Sequence, residues 1–381
     1  MRLHRVLRRN VSVFCASLAF ATSGLHADII ATDNNVPSIM DVGGTEDDPA
    51  TYILGLAGAI SRDVGNTGAY VGLSSSYNFL VVASGSTLTS KGGIVGSGSA
   101  SQYNMVALTG SGTSWAAGDR IDVGKDGSNN HLSVEEGAHI TVGKTYVGLT
   151  GTAHHNTLNI LGAGSSMTVS SSTGITLGSY GSNNILRVGY GGTLTTGMAY
   201  IGFNAGANDN EAIVYGRGST WSLKQLSIAS YFDGTGNALT IEDGGLVRVS
   251  GYYSLNSAVA INSSDNNFLN LNDGFLAIEG DATHIIADLI DDGAFRFWDG
   301  STWQIAGVDD LLFGYFADDA DAFAFSGYAD LGGYTIVTNV AGTAIPEPST
   351  YAALAGCAML GLAIARRYQR GRRCLSRSNT H

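Results

Sequence analysis

The chain has 381 residues, with 53 glycines, 4 prolines and a hydrophobic content of 44%. This hydrophobic content excludes a disordered chain, and abundant glycine with little proline favours short strands and tight turns. Residues 28–347 hold all 32 acidic groups but only 10 basic ones, a formal charge of −22. Because such a surface repels phosphate groups, we expect no nucleic-acid partner.

The three cysteines, Cys15, Cys357 and Cys374, lie near the two ends of the chain. None falls within residues 28–343, so no disulfide can form there. The central region must be stabilised by packing and backbone hydrogen bonds alone.

Residues 1–27 have the layout of a secretory signal peptide. Four arginines precede residue 10, the 12-residue apolar stretch VSVFCASLAFAT follows, and the segment ends on the small residue Ala27. The apolar stretch is too short to span a bilayer. We therefore predict a signal helix that signal peptidase removes; a buried first helix is the alternative.

A repeat runs through the middle of the chain. An asparagine is followed two and four residues later by apolar or small residues, as in NHLSV at 130–134 and NTLNI at 156–160. Successive asparagines are 26, 26, 26, 28, 26, 27 and 30 residues apart. The repeat begins at Asn78, Asn104, Asn130, Asn156, Asn184, Asn210, Asn237 and Asn267. Short stretches that end in glycine, such as YVG at 146–148, lie between the repeats.

Each repeat contains a strand with one buried face, because alternate residues are apolar in stretches such as Leu132-Ser133-Val134. A unit of 26 residues can bury that face only against its neighbours. Stacked in register, the asparagines would hydrogen-bond to one another as a ladder, and asparagine tolerates the left-handed conformation of a corner.

The fold class predicted is all-β, a parallel β-helix (β-solenoid) of about eight coils over residues 70–280. Residues 28–69 are expected to form an N-terminal cap, and the acidic, aromatic-rich residues 281–343 a C-terminal cap over the exposed sheet edges. A β-propeller is the alternative, but it would have only four blades and would leave the asparagines unexplained.

Residues 344–373 combine the tripeptide Pro346-Glu347-Pro348, a 15-residue uncharged stretch at 351–365 and an arginine cluster; residues 374–381 form a tail. The uncharged stretch predicts a short transmembrane helix that contacts the membrane transiently, with the arginines in the cytoplasm and the main body outside. An ordinary single-span anchor is the alternative.

This three-part C-terminal segment resembles the PEP-CTERM sorting signal of bacterial envelope proteins. The resemblance implies recognition, and removal of the segment, by an exosortase-type membrane enzyme. It also implies an association with secreted polysaccharide and biofilm matrix.

The repeats resemble a second family, the glycine-rich repeat shared by autotransporter passengers and PEP-CTERM proteins. The string GRGSTW at 216–221, beside strands that end in glycine, carries this resemblance, which covers about residues 70–280. It implies an extracellular β-solenoid and no defined activity.

Catalysis has a weak basis in the sequence. The acid pairs Asp291-Asp292, Asp309-Asp310 and Asp318-Asp319 could act as general acid and base. The G-H-G and R-I-K elements of polygalacturonase-like sites do not occur, however, and the repeats hold few basic residues. We therefore interpret the pairs as a solvated acidic surface.

Metal and sugar sites are also weakly indicated. His154-His155 is the only histidine pair, with His131 and His139 about one coil earlier, and the loops 126–130 and 233–237 could hold calcium weakly. Trp115 and Trp221 occupy repeat positions typical of the core, whereas Trp298 and Trp303 could stack on sugars. We expect no metal site and no cofactor.

The sequence thus predicts an exported, non-enzymatic protein of the bacterial envelope or extracellular matrix, structural or adhesive, and sorted through its C-terminal signal. A polysaccharide-binding or polysaccharide-cleaving β-helix is the alternative. The expected partners are signal peptidase, an exosortase-type enzyme and extracellular polysaccharide.

Overall fold

The computed structural model describes residues 29–231, 233–251 and 258–339. Over these residues the chain is all-β and winds into a parallel β-solenoid of about nine turns, with two short α-helices after the last turn. The solenoid predicted from the repeat is confirmed. The predicted signal helix in residues 1–27 and the predicted membrane helix in residues 344–373 lie outside the described residues.

Each regular turn contributes one strand to each of three faces, and the strands of a face stack on those of neighbouring turns. Face 1 is a 12-stranded sheet in which every pairing except the last is parallel. Its strands are β1 (Ile29–Thr32), β3 (Ala50–Leu54), β6 (Asn78–Val82), β9 (Met105–Thr109), β11 (His131–Glu135), β13 (Thr157–Leu161), β16 (Ile185–Gly189), β19 (Glu211–Tyr215), β22 (Ala238–Glu242), β25 (Phe268–Asn272), β27 (Phe295–Trp298) and β28 (Trp303–Ile305).

Faces 2 and 3 meet at a corner that the long strands β10 (Ser114–Val123) and β12 (His139–Val147) cross without a break. Face 2 otherwise contains β4 (Ser61–Asp63), β7 (Thr87–Ser90), β14 (Ser166–Val169), β17 (Thr193–Thr195), β20 (Thr220–Leu223), β23 (Leu246–Val249) and β26 (Phe275–Glu279). Face 3 otherwise contains β2 (Ile39–Met40), β5 (Ala69–Val71), β8 (Gly93–Val95), β15 (Ile175–Leu177), β18 (Met198–Ile201), β21 (Gln225–Ile228) and β24 (Val259–Ile261).

The core lies inside the three faces, where alternate residues of each strand point inward. Leu132, Leu158 and Leu186 stand directly above one another on face 1, and all three are 0% exposed. This stacking is the period-two pattern of the sequence repeated in register, and it buries each turn against the next.

The solenoid begins before residue 70, where the predicted repeat region starts. Residues 50–71 form a complete turn, because β3, β4 and β5 pair in parallel with β6, β7 and β8. The asparagine pattern misses this turn because Ala50 stands opposite Asn78 in the register. Much of the segment predicted as a separate N-terminal cap is therefore solenoid, and the count of about eight coils is one short.

The C-terminal end of the solenoid is covered by antiparallel strands. β30 (Tyr334–Asn339) pairs antiparallel with β26 and with β29 (Leu311–Phe316), while β28 folds back on β27. These pairings satisfy backbone groups that the last turn would otherwise expose at a sheet edge. They come from the segment predicted to cap the solenoid.

Two helices accompany these strands. The first, α1 (Thr283–Asp291), buries Ile285, Ile286, Leu289 and Ile290. The second, α2 (Asp319–Ser326), begins at Asp318, whose side chain accepts hydrogen bonds from two backbone N–H groups of the first turn. Single turns of 3-10 helix occur at Asp33–Asn35, Ser263–Asp265 and Val308–Asp310. No helix among the described residues is long and apolar enough to cross a membrane.

Candidate functional site

The eight repeat asparagines form one continuous column at the corner that leads into face 1. The backbone N–H of each asparagine donates to the side-chain Oδ1 of the next, over distances of 2.9–3.0 Å. Its Nδ2 donates to the same oxygen over 2.9–3.1 Å. All eight side chains are at most 1% exposed. In the column, the buried side-chain amides therefore hydrogen-bond to neighbouring asparagines instead of to water.

The left-handed residue of this corner is not the ladder asparagine, as the sequence suggested, but the residue before it. Tyr103, Asn129 and His155, which precede Asn104, Asn130 and Asn156, have φ values of 55°, 59° and 56°. This conformation turns the chain sharply and directs the side chain of the following asparagine inward, into the column.

A second column, of glycines, lies against the asparagines. Gly148, which ends the YVG stretch, has a φ of +78°, and a Cβ placed on it would overlap the amide of Asn184. The same relation holds for Gly72, Gly96, Gly124, Gly178 and Gly202, each against its own ladder asparagine. The glycines that end the short strands of the repeat therefore leave room for the buried amides.

Three of the six acids considered for catalysis, Asp310, Asp318 and Asp319, serve local backbone structure. The side chain of Asp310 accepts from the N–H of Gly307 at 2.9 Å, and that of Asp318 caps α2. The side chain of Asp319 accepts from the N–H of Gly332 at 2.6 Å. These contacts are turn and cap chemistry, and none of them brings two carboxylates to a common cleft.

The histidines do not converge on a metal site. His154 and His155 stand edge to face with centroids 6.5 Å apart, and Nδ1 of His154 accepts from the backbone of Ser182. His131 and His139 lie on different faces. Within the described parts of the chain, no group of three histidine, cysteine or acidic residues is placed to hold a metal ion.

The four tryptophans separate into two kinds. Trp115 and Trp221 are 1% exposed in the core of face 2, where their indole N–H groups donate to Ser90 and Thr196. Trp298 and Trp303 face each other across the β27–β28 hairpin, half-buried, with ring centroids 5.4 Å apart. Only this second pair has ring surface accessible to a ligand.

The outer side of face 1 carries two half-buried titratable groups on strand β11, His131 and Glu135. Burial, together with the charge of Arg187, lowers the pKa of His131 to about 4. Burial also raises the pKa of Glu135. Nε2 of His131 lies 3.4 Å from Nδ2 of Asn159 on the next turn. His131 and Glu135 belong to one strand, and Asn159 and Arg187 lie on the next two turns.

A lateral groove opens at the corner between faces 2 and 3. Its volume is about 400 Å³, and its lining includes Tyr70, Lys91, Gly92, Asp119 and Arg120. The sequence analysis missed this groove. Its lining residues come from three turns that lie together only in the folded chain.

Asp122 lies beside this groove, on the outer side of face 3, and is fully buried. It stands between Ile94 and Tyr146 in the register, and Arg120 covers it. Nη2 of Arg120 is 2.7 Å from Oδ2 of Asp122 in an ion pair, but neither carboxylate oxygen has a hydrogen bond of good geometry among the described residues. Burial raises the pKa of Asp122 to about 6, against the opposing effect of Arg120.

The raised pKa predicts a specific pH dependence of stability. The pKa of this carboxyl is about 3.8 unfolded and about 6 folded, so the folded state holds the proton more tightly. As the pH rises from about 4 to above 6, this group should lower the free energy of unfolding by about 3 kcal/mol. Urea denaturation of wild type and Asp122→Asn across this range tests it: the variant should lack the decrease, and parallel curves would contradict the assignment.

No family model, no curated protein and no solved structure matches the chain. The two family resemblances described for the sequence therefore rest on the residues quoted for them.

Proposed function

We propose that this protein is exported and serves as a non-enzymatic structural or adhesive element of the bacterial envelope or extracellular matrix. The observation that carries the proposal is the uninterrupted asparagine column through the solenoid. A rod held together by buried amides and stacked apolar rows needs no disulfide, metal or cofactor for rigidity, which suits a structural element outside the cell.

In this proposal, segments at the two ends of the chain direct export and sorting. Signal peptidase removes residues 1–27, and the predicted short apolar helix at residues 351–365 holds the protein in the membrane transiently. An exosortase-type enzyme then recognises Pro346-Glu347-Pro348 and cleaves the chain. The arginine cluster stays on the cytoplasmic side, because positively charged segments are retained there.

Mass spectrometry of the native exported protein tests this route. We expect a chain that begins close to Asp28 and has lost the arginine cluster. Replacing Pro346 and Pro348 by alanine should leave the tail attached and keep the protein in the membrane fraction. An intact tail on the wild-type exported protein would contradict sorting by cleavage.

A second candidate function is polysaccharide binding or cleavage, and the lateral groove is the observation that favours it. Cleavage requires an accessible acid and base. Asp122 is buried beneath Arg120, and the exposed Asp119 lies 4.0 Å from Lys91, so both carboxylates are already paired with cations. We therefore favour binding over cleavage. Unsaturated products or new reducing ends after incubation with acidic polysaccharide would reverse that preference.

A further inference from the structure

We propose that the groove at the corner between faces 2 and 3 is a binding site for an acidic sugar, a pyranose ring that carries a carboxylate. This inference deepens the proposed matrix function and rests on it for its biological setting. The groove volume of about 400 Å³ lies within the range of small-ligand sites, which is roughly 300–1,000 Å³.

Two cations, Lys91 and Arg120, line the groove and can bind an anionic ligand. The lining also includes one exposed acid, Asp119, whose carboxylate lies 4.0 Å from Nζ of Lys91. Arg120 and Lys144 are direct neighbours across two turns, and Lys91 lines the groove with Arg120. The ion pair of Lys91 with Asp119 is exposed and therefore weak, so a ligand carboxylate can compete with Asp119 for Lys91.

Arg120 is positioned in advance to bind a carboxylate. One side of its guanidinium is held by Asp122, and its centre lies 5.6 Å from the centroid of the Tyr146 ring. A guanidinium has five N–H donors, so several remain for a ligand, and a planar carboxylate matches their geometry. The buried Asp122 therefore fixes the orientation of Arg120 and is a positioning residue.

The floor of the groove suits the flat face of a sugar ring. Gly92 and Gly93 line the groove and contribute no side chain to it. The half-buried ring of Tyr70 lines the groove beside them. Aromatic surface packs against the C–H face of a sugar, while the cations bind its carboxylate.

Calorimetric titration of the native exported protein with a galacturonic acid tetramer tests the site. The fully methyl-esterified tetramer has the same rings without the charge, and we expect it to bind at least tenfold more weakly. Lys91→Ala should raise the Kd of the acidic tetramer about fivefold or more, and Tyr70→Ala by a similar factor. Arg120 is left unchanged, because its removal would leave Asp122 buried without a partner.

Lys224→Ala is the matched control. Lys224 occupies the same corner four turns beyond Arg120, outside the groove, so its removal should change the Kd less than twofold. Equal affinity for the two tetramers, or equal effects of Lys91→Ala and Lys224→Ala, would overturn the proposal. Competition by sodium sulfate beyond that of sodium chloride at equal ionic strength would also overturn it, since the site would then take any anion. The proposed export and tail cleavage would stand in each case, because mass spectrometry tests them separately.

Discussion

Replacing Asn156 by alanine is expected to lower the free energy of unfolding by about 3 kcal/mol. The side-chain oxygen of Asn156 accepts from both the backbone N–H and the Nδ2 of Asn130, and both donors are buried. The substitution leaves the backbone N–H of Asn130 without an acceptor, while Nδ2 of Asn130 keeps the carbonyl oxygens of Ser101 and Ser128. An unsatisfied buried donor costs about 1–3 kcal/mol, and the bond from Nδ2 of Asn156 to Asn184 is lost as well. Urea denaturation of the purified protein, followed by circular dichroism, measures the change.

Asn78→Ala is the control at the start of the column. The oxygen of Asn78 accepts at 2.9 Å from the half-buried N–H of Gly43, so its loss should cost only about 1–2 kcal/mol. Asn156→Asp should cost more than Asn156→Ala at neutral pH, because a carboxylate oxygen would replace the Nδ2 that donates to Asn184. Equal losses for Asn78→Ala and Asn156→Ala would mean that the column adds little beyond single local bonds.

Gly148→Ala is expected to destabilise the protein by about 4 kcal/mol or more, through two separable effects. Its φ of +78° is unfavourable for alanine by about 1–2 kcal/mol. In addition, the new Cβ would overlap the buried amide of Asn184. Gly206 has a similar φ of +84°, but a Cβ at that position would meet nothing within 4 Å, so Gly206→Ala should show the conformational cost alone.

A double-mutant cycle keeps this prediction testable even if Gly148→Ala folds poorly. Asn184→Ala removes the overlapping amide, so the cost of Gly148→Ala should fall in that background to about that of Gly206→Ala. Equal costs for Gly148→Ala and Gly206→Ala in the wild-type background would show that the glycine column has no steric role.

These two predictions differ in how far the sequence alone anticipates them. The asparagine column is anticipated because asparagine recurs at nearly the length of a turn. Stacking the turns in register then places each asparagine above the one in the neighbouring turn. The close contact of Gly148 with Asn184 is not anticipated by the sequence, because the two residues are 36 positions apart and belong to different parts of the repeat. Only the closed turn brings the end of one strand against the corner of a later one.

The repeat pattern in the sequence likewise does not predict the first turn or the groove. Residues 50–71 form a turn with Ala50 in place of asparagine, because backbone pairing with β6 needs no particular side chain at that point. Asp122 alternates with inward-pointing Ile121 and Val123 and looks like an ordinary exposed acid in the sequence. Its burial depends on Arg120, Ile94 and Tyr146, which reach it from the same and adjacent turns.

The sequence by itself determined the solenoid, its inward apolar rows and its asparagine column, because each is a local pattern repeated at the period of a turn. The tertiary structure alone decided where the first turn begins, which residue adopts the left-handed corner and which side chains line the groove. Those features depend on contacts between turns whose connecting loops differ in length, and such contacts leave no periodic trace in the chain.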